Sequence, residues 1–178
     1  MSVLKLNIRV LVMLALLIGI GTVLHAIMPP ILYGVRPDMI LAMMFIGIIM
    51  FPKVPYVFLV SILAGVMSAL TTTVPGGQIS NIIDKPITAF VFFGLFLLVR
   101  NKINGHIAAP ILTAIGTMIS GSVFLSVVLF VLASMPGGFI ALFAAVVLPA
   151  ALVNTIVMIV LYPVVQTILK RTRMTPAA

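Results

Sequence analysis

The chain has 178 residues, 63% of them hydrophobic and only 7% charged, with no cysteine, no tryptophan, two acidic residues against ten basic ones, and a net charge of +8. A mean hydropathy of +1.42 lies beyond the range of soluble domains and marks an integral membrane protein. No disulfide or thiolate metal site can form, and with two histidines there are too few ligands for a metal centre, so no cofactor is expected.

The opening "MSVLKLNIRV" has the charge of a signal-peptide n-region, yet its apolar run continues to Met28 and ends in "HAIMPP" with no small-x-small cleavage site. It is read as an uncleaved first helix, residues 8–28. Five further apolar runs follow, bounded by Pro, Gly and charge: 38–51, 56–73, 86–99, 107–133 and 139–169. The expectation is an all-α membrane bundle of six spans forming a single domain, 1–178. The second and fourth runs are short, about 21 Å at ~1.5 Å per residue against a ~30 Å hydrocarbon core.

Six spans place both termini on one side. Lys5, Arg9, Lys53, Arg100, Lys102, Lys170, Arg171 and Arg173 then fall on that side, and Arg36 and Lys85 opposite. The bias makes both termini cytoplasmic. The scattered basic residues follow topology, and no basic segment points to nucleic acid. "PGG" occurs at Pro75–Gly77 and Pro136–Gly138, where two tight turns with positive φ account for it.

Arg36 and Lys85 are also the basic residues that stand beside the two acids, Asp38 and Asp84. Helical rise from the nearest inner basic residue puts Asp38, Lys85 and Ser68 at roughly 22 Å, and His25, Asn154 and Ser122 at about 24 Å. Several helices thus carry polar groups to one level below the outer surface. A carboxylate at such depth costs about 2.5–3.5 kcal/mol, so these groups are expected to face one another, water or a ligand in an outward-facing chamber. The loops "PPILYGVR" and "TTTVPGGQISNIID" can close over it, because irregular backbone is tolerated at depth where it lines a cavity.

Blander roles exist for each. Asp38 and Asp84 can be helix N-caps, with Pro86 in the first helical turn. Arg36 with Asp38 and Asp84 with Lys85 can be plain ion pairs. His25 and Asn154 can be hydrogen-bonded to neighbouring helices, and Ser68 and Ser122 can be packing residues. A chamber with both signs of charge suits a zwitterion, its carboxylate on Arg36 or Lys85 and its ammonium on Asp38 or Asp84. Phe90, Phe92, Phe93, Tyr33, Met39, Met43 and Met44 offer walls for an aromatic or large aliphatic group. Small residues four apart, Ala15 and Gly19 on the first helix and Ser61, Gly65 and Ala69 on the third, allow close helix approach.

The sequence has no GxxxxGK[ST] run, no HExxH and no Ser, His and Asp set of a hydrolase, so a transporter subunit without its own ATPase site is expected and not an enzyme. A stand-alone ion-coupled carrier is the alternative, although such carriers usually need two repeats around a midplane site.

The segments "LHAIMPP", "RPDMILAMMFIGIIMFP", "ALTTTVPGGQISNIIDKPITAFVFFGLFLL" and "MPGGFIALFAAVVLPAALVNTIVMIVLYPVVQ" resemble the tryptophan transporter family TrpP and, more broadly, the substrate-binding S components of energy-coupling factor (ECF) transporters. The resemblance implies capture of tryptophan, or of another small organic nutrient, on the outside of a bacterial cell membrane. It implies as partners a transmembrane T subunit and two cytoplasmic ATPases, with Ala15 and Gly19 on the docking face. It also implies a substrate pocket drawn from outer loops one and three and the outer halves of helices four to six. The substrate residues expected on these grounds are His25, Arg36, Asp38, Gln78, Asn81, Asp84, Lys85, Phe93 and Asn154.

Overall fold

The computed structural model describes residues 6–28, 37–133 and 137–171. Among these there are helices and turns but no strand. Six helices form an integral membrane bundle: α1 (Ile8–Ile27), α2 (Met39–Met50), α3 (Val54–Thr71), α4 (Gly77–Val99), α5 (Gly105–Val131) and α6 (Phe139–Arg171). The end of α5, Val127–Val131, is π-helical, as is Phe143–Val147 near the start of α6. All but α2 are long and apolar enough to cross a bilayer.

Local chemistry sets the helix starts. Asn7 and Asn104 accept the backbone N–H groups of Arg9 and His106, capping α1 and α5. Asp38 caps α2 by accepting the N–H of Leu41 at 2.9 Å. Pro55 stands in the first turn of α3, where its missing N–H leaves no bond unmade. The turn into α4 relies on Gly76 at φ +75°, and Gly137 stands at φ +134°.

In α2 every residue is buried, so this uncharged 12-residue helix is enclosed by its neighbours. Around it α1, α3, α4, α5 and α6 turn one side inward and leave apolar side chains such as Leu16, Phe58, Val91 and Ile156 exposed, as a bilayer requires. Phe45 of α2 stacks on Phe92 of α4, ring centroids 4.0 Å apart. Gly116 of α5 closes over that stack, since a Cβ there would lie 2.7 Å from Phe45.

Helix α4 differs from its expected span. It begins at Gly77 instead of residue 86 and runs 23 residues, roughly 34 Å at ~1.5 Å per residue, so it is no short helix. Asp84 is therefore not an N-cap, and Pro86 lies inside the helix. The segment expected as a loop, "GQISNIID", stays helical because its polar side chains bond within or between helices: Ser80 Oγ donates to the Gly76 carbonyl and Asn81 Nδ2 to that of Gly77.

Candidate functional site

Two close helix approaches deliver the charged residues. Ser61, Gly65 and Ala69 are buried on α3, and a Cβ at Gly65 would come within 3.3 Å of the Asn81 carbonyl and 3.6 Å of Lys85 Cβ. The small-residue stripe thus lets α4 lie against α3 and sets Lys85 inward. Similarly, Gly21 lets α1 approach the start of α2, where a Cβ would meet the Met39 carbonyl at 3.0 Å. One turn further along, His25 Nδ1 donates to the Pro37 carbonyl at 3.1 Å. A carbonyl can only accept, which leaves His25 Nε2 as an acceptor in the neutral ring.

At the centre Lys85 Nζ donates to Asp38 Oδ2 at 2.7 Å and to Asp84 Oδ2 at 2.9 Å. Both acids of the chain therefore meet on one ammonium, giving the trio a formal charge of −1. Asp84 is closed off: Ser120 Oγ donates to its Oδ2 at 2.6 Å, and Thr88 Oγ1 to its Oδ1 at 2.7 Å. Side-chain exposure separates the members, 0% for Asp84 and 2% for Lys85 against 25% for Asp38. The third Lys85 donor has only a long contact, 3.5 Å to Ser120 Oγ. Buried charges survive when paired and hydrogen-bonded in this way.

The trio borders a cavity of about 320 Å³ between the outer halves of the helices, within the size range of small-ligand sites. His25, Asp38, Asn81, Asp84, Lys85, Thr117 and Ser120 supply its polar side, with Ser68 and Thr71–Val74 on α3 and the turn after it. Phe124, Leu125, Leu142, Val146, Val147 and Ala150 of α5 and α6 form an apolar side.

Of the expected residues, His25, Asp38, Asn81, Asp84 and Lys85 thus share one cavity. Asn154 is buried and donates Nδ2 to Thr117 Oγ1 at 3.3 Å, an interhelical bond behind the cavity wall. Gln78 is exposed on α4, and Phe93 packs against the core away from the cavity. Phe90 faces outward, and Met39, Met43, Met44 and Phe92 are core residues. Arg36 and Tyr33 lie outside the described residues. Asp38 pairs with Lys85, a partner 47 positions away that sequence proximity did not indicate.

Ser120, Thr88 and Thr117 were not singled out by helical rise alone. Rise gives height, while phase gives direction: Ser122 is two residues, about 200°, from Ser120, and it bonds back to the Met118 carbonyl. The inward phase was readable from Ala109, Thr113, Gly116, Thr117 and Ser120, small residues at helical spacing.

Comparison with known proteins places the chain in a family. A family model described as "Tryptophan transporter TrpP" matches residues 7–170. A probable tryptophan transport protein of Bacillus subtilis (strain 168) is 58% identical over 168 residues, covering 94% of this chain and 96% of the relative. Those of Clostridium acetobutylicum and Clostridium perfringens are 40% and 34% identical, covering 91% and 93% of this chain and 94% and 95% of theirs. No solved structure matches the chain. With its six-helix bundle and near full-length match, the chain belongs to the TrpP tryptophan transporter family, a multi-pass protein of the bacterial cell membrane.

Proposed function

We propose that the chain is the substrate-capturing subunit of an ATP-driven importer of the energy-coupling-factor type, and that its ligand is tryptophan. The observation that carries the reading is the trio Asp38, Asp84 and Lys85 at the edge of an outward cavity with one apolar side. The ligand follows the family and the names of its relatives. A zwitterion with a large flat side chain fits the division of the cavity into charged and apolar halves.

Roles divide by accessibility. Asp84 is saturated by Lys85, Ser120 and Thr88, so Asp38 is the carboxylate that meets the ligand ammonium, with His25 beside it. The weakly used third donor of Lys85 takes the ligand carboxylate. The indole lies against Phe124 and the α6 residues Val146 and Val147. Energy comes from a partner: a T subunit and two ATPases engage the chain, with Ala15 and Gly19 on the outward side of α1 as the docking face. Gly19 has open space where a Cβ would stand.

The protein contains no tryptophan, so indole emission in a titration comes from ligand alone. A saturable, blue-shifted signal is expected with the wild type. Asp38→Asn should keep the helix cap, because Asn caps as well as Asp, while weakening binding at least about tenfold through loss of a charge-assisted bond. Unchanged affinity in a folded Asp38→Asn protein would remove the ammonium assignment. Uptake into liposomes by the chain alone, driven by an ion gradient, would overturn the ATP-driven reading in favour of a stand-alone carrier.

A further inference from the structure

Helical hydroxyls in this bundle mostly satisfy themselves locally, and Ser68 does not. Thr71, Thr113, Ser122 and Thr155 each donate to the carbonyl four residues back at 2.7–2.8 Å. This is the ordinary way to satisfy a hydroxyl inside a membrane helix. Ser68 of α3 is 5% exposed and borders the cavity, yet among the described residues its Oγ has no hydrogen-bond partner. Buried polar atoms are rarely left so. Its own backbone carbonyl does have a partner, Asn81 Nδ2 at 3.4 Å.

Of the other polar side chains on the cavity wall, Thr73 is exposed at the mouth and the buried or half-buried ones have commitments. Ser120 donates to Asp84, Thr71 bonds back to Met67, Thr72 Oγ1 accepts the N–H of Val74, and Thr117 accepts from Asn154. His25 is tied to Pro37, next to Asp38, and so belongs to the charged end. Asn154 Oδ1 also lacks a partner among the described residues, but Asn154 is fully buried and is not on the cavity wall.

Tryptophan brings three polar groups, and the charged trio answers two of them. The third, the indole N–H, is a neutral donor with no accepting capacity. It calls for a neutral acceptor with a free lone pair. We propose that Ser68 is a specificity-determining residue whose hydroxyl accepts the indole N–H, so that the site selects tryptophan over aromatic amino acids that lack this donor. The proposal rests on the tryptophan reading above. No bond from the described residues holds the Ser68 hydroxyl, so it can turn among its staggered positions toward an incoming donor. A site built around a substrate N–H rejects analogues without it, because its own polar atom is then left unpaired.

The test compares tryptophan with 3-(3-benzothienyl)alanine, in which sulfur replaces the indole N–H, by calorimetric titration of the purified chain. Wild type should prefer tryptophan. Ser68→Ala should weaken tryptophan binding about five-fold, change the affinity for the sulfur analogue less than about two-fold, and leave the melting temperature of the ligand-free protein unchanged or higher, because the removed hydroxyl makes no bond there. Should the alanine variant fail to fold, Ser68→Cys gives the same comparison with a weaker acceptor at similar size. Equal losses for both ligands would place the hydroxyl on the amino-acid end and overturn the proposal, as would unchanged affinity for both. Failure of wild type to bind tryptophan removes the parent reading and this one together. Wild-type binding with an indifferent Ser68→Ala removes this one alone.

Discussion

Lys85 holds two carboxylates from different helices, and neither would tolerate its loss. Removing the ammonium by Lys85→Ala leaves Asp38 and Asp84 facing one another without a counter-charge, Asp84 with no exposure at all. Truncating one partner of a buried ion pair costs about 3–5 kcal/mol, so thermal unfolding of Lys85→Ala in detergent should begin well below that of wild type. A melting curve matching wild type would show that the trio does not support the fold. Part of the trio was legible from the sequence, because both acids of an oily chain stand beside basic residues. So was the Asp84–Lys85 pair, while the partner of Asp38 was not. Neighbours in sequence suggested Arg36 for Asp38, whereas the helix starting at Gly77 turns Lys85 inward and makes it the common partner.

At the scale of helices, the interface of α2, α4 and α5 rests on the Phe45–Phe92 stack and the missing side chain of Gly116. A methyl at Gly116 would stand 2.7 Å from Phe45 and 2.8 Å from Phe92. Both rings are fully buried, so neither has room to retreat. Gly116→Ala is expected to cost about 1–3 kcal/mol by overpacking, read as a lower midpoint in thermal unfolding; an unchanged midpoint would mean the stack can shift.

Helix ends were the least legible feature. Pro86 following Asp84 and Lys85 imitates a helix start, since proline favours the first turn. Inside a membrane bundle proline is also tolerated within a helix, and α4 uses that freedom to carry two further turns outward. With them, Asn81 and Ser80 became helical residues instead of loop residues, and of that loop Thr72, Thr73 and Val74 border the cavity. Small-residue stripes behaved unequally for a similar reason. The α3 stripe is consumed by α4, while Ala15 and Gly19 on α1 face outward.

For the whole molecule, hydropathy and the distribution of Lys and Arg sufficed to establish a six-helix membrane bundle, because both follow directly from the energetics of the bilayer. They also fix a sidedness that can be measured. The chain has no cysteine, so single cysteines introduced at Thr73 and Asn101 report without background. Thr73→Cys should react with a membrane-impermeant maleimide in intact cells, and Asn101→Cys only after permeabilisation. The opposite pattern would invert the topology and put the cavity on the wrong face for import.

The enclosure of α2 has a consequence for how the family can drift. Residues on the outer side of α6, such as Leu152, Ile156 and Ile159, meet fluid hydrocarbon, which accepts any oily shape. Those of α2 meet fixed neighbours on every side, where a swap that preserves oiliness but alters volume or branching leaves a void or a clash. Two stretches that score alike on any hydrophobicity scale are thus under unlike selection, one for solubility in lipid and the other for shape.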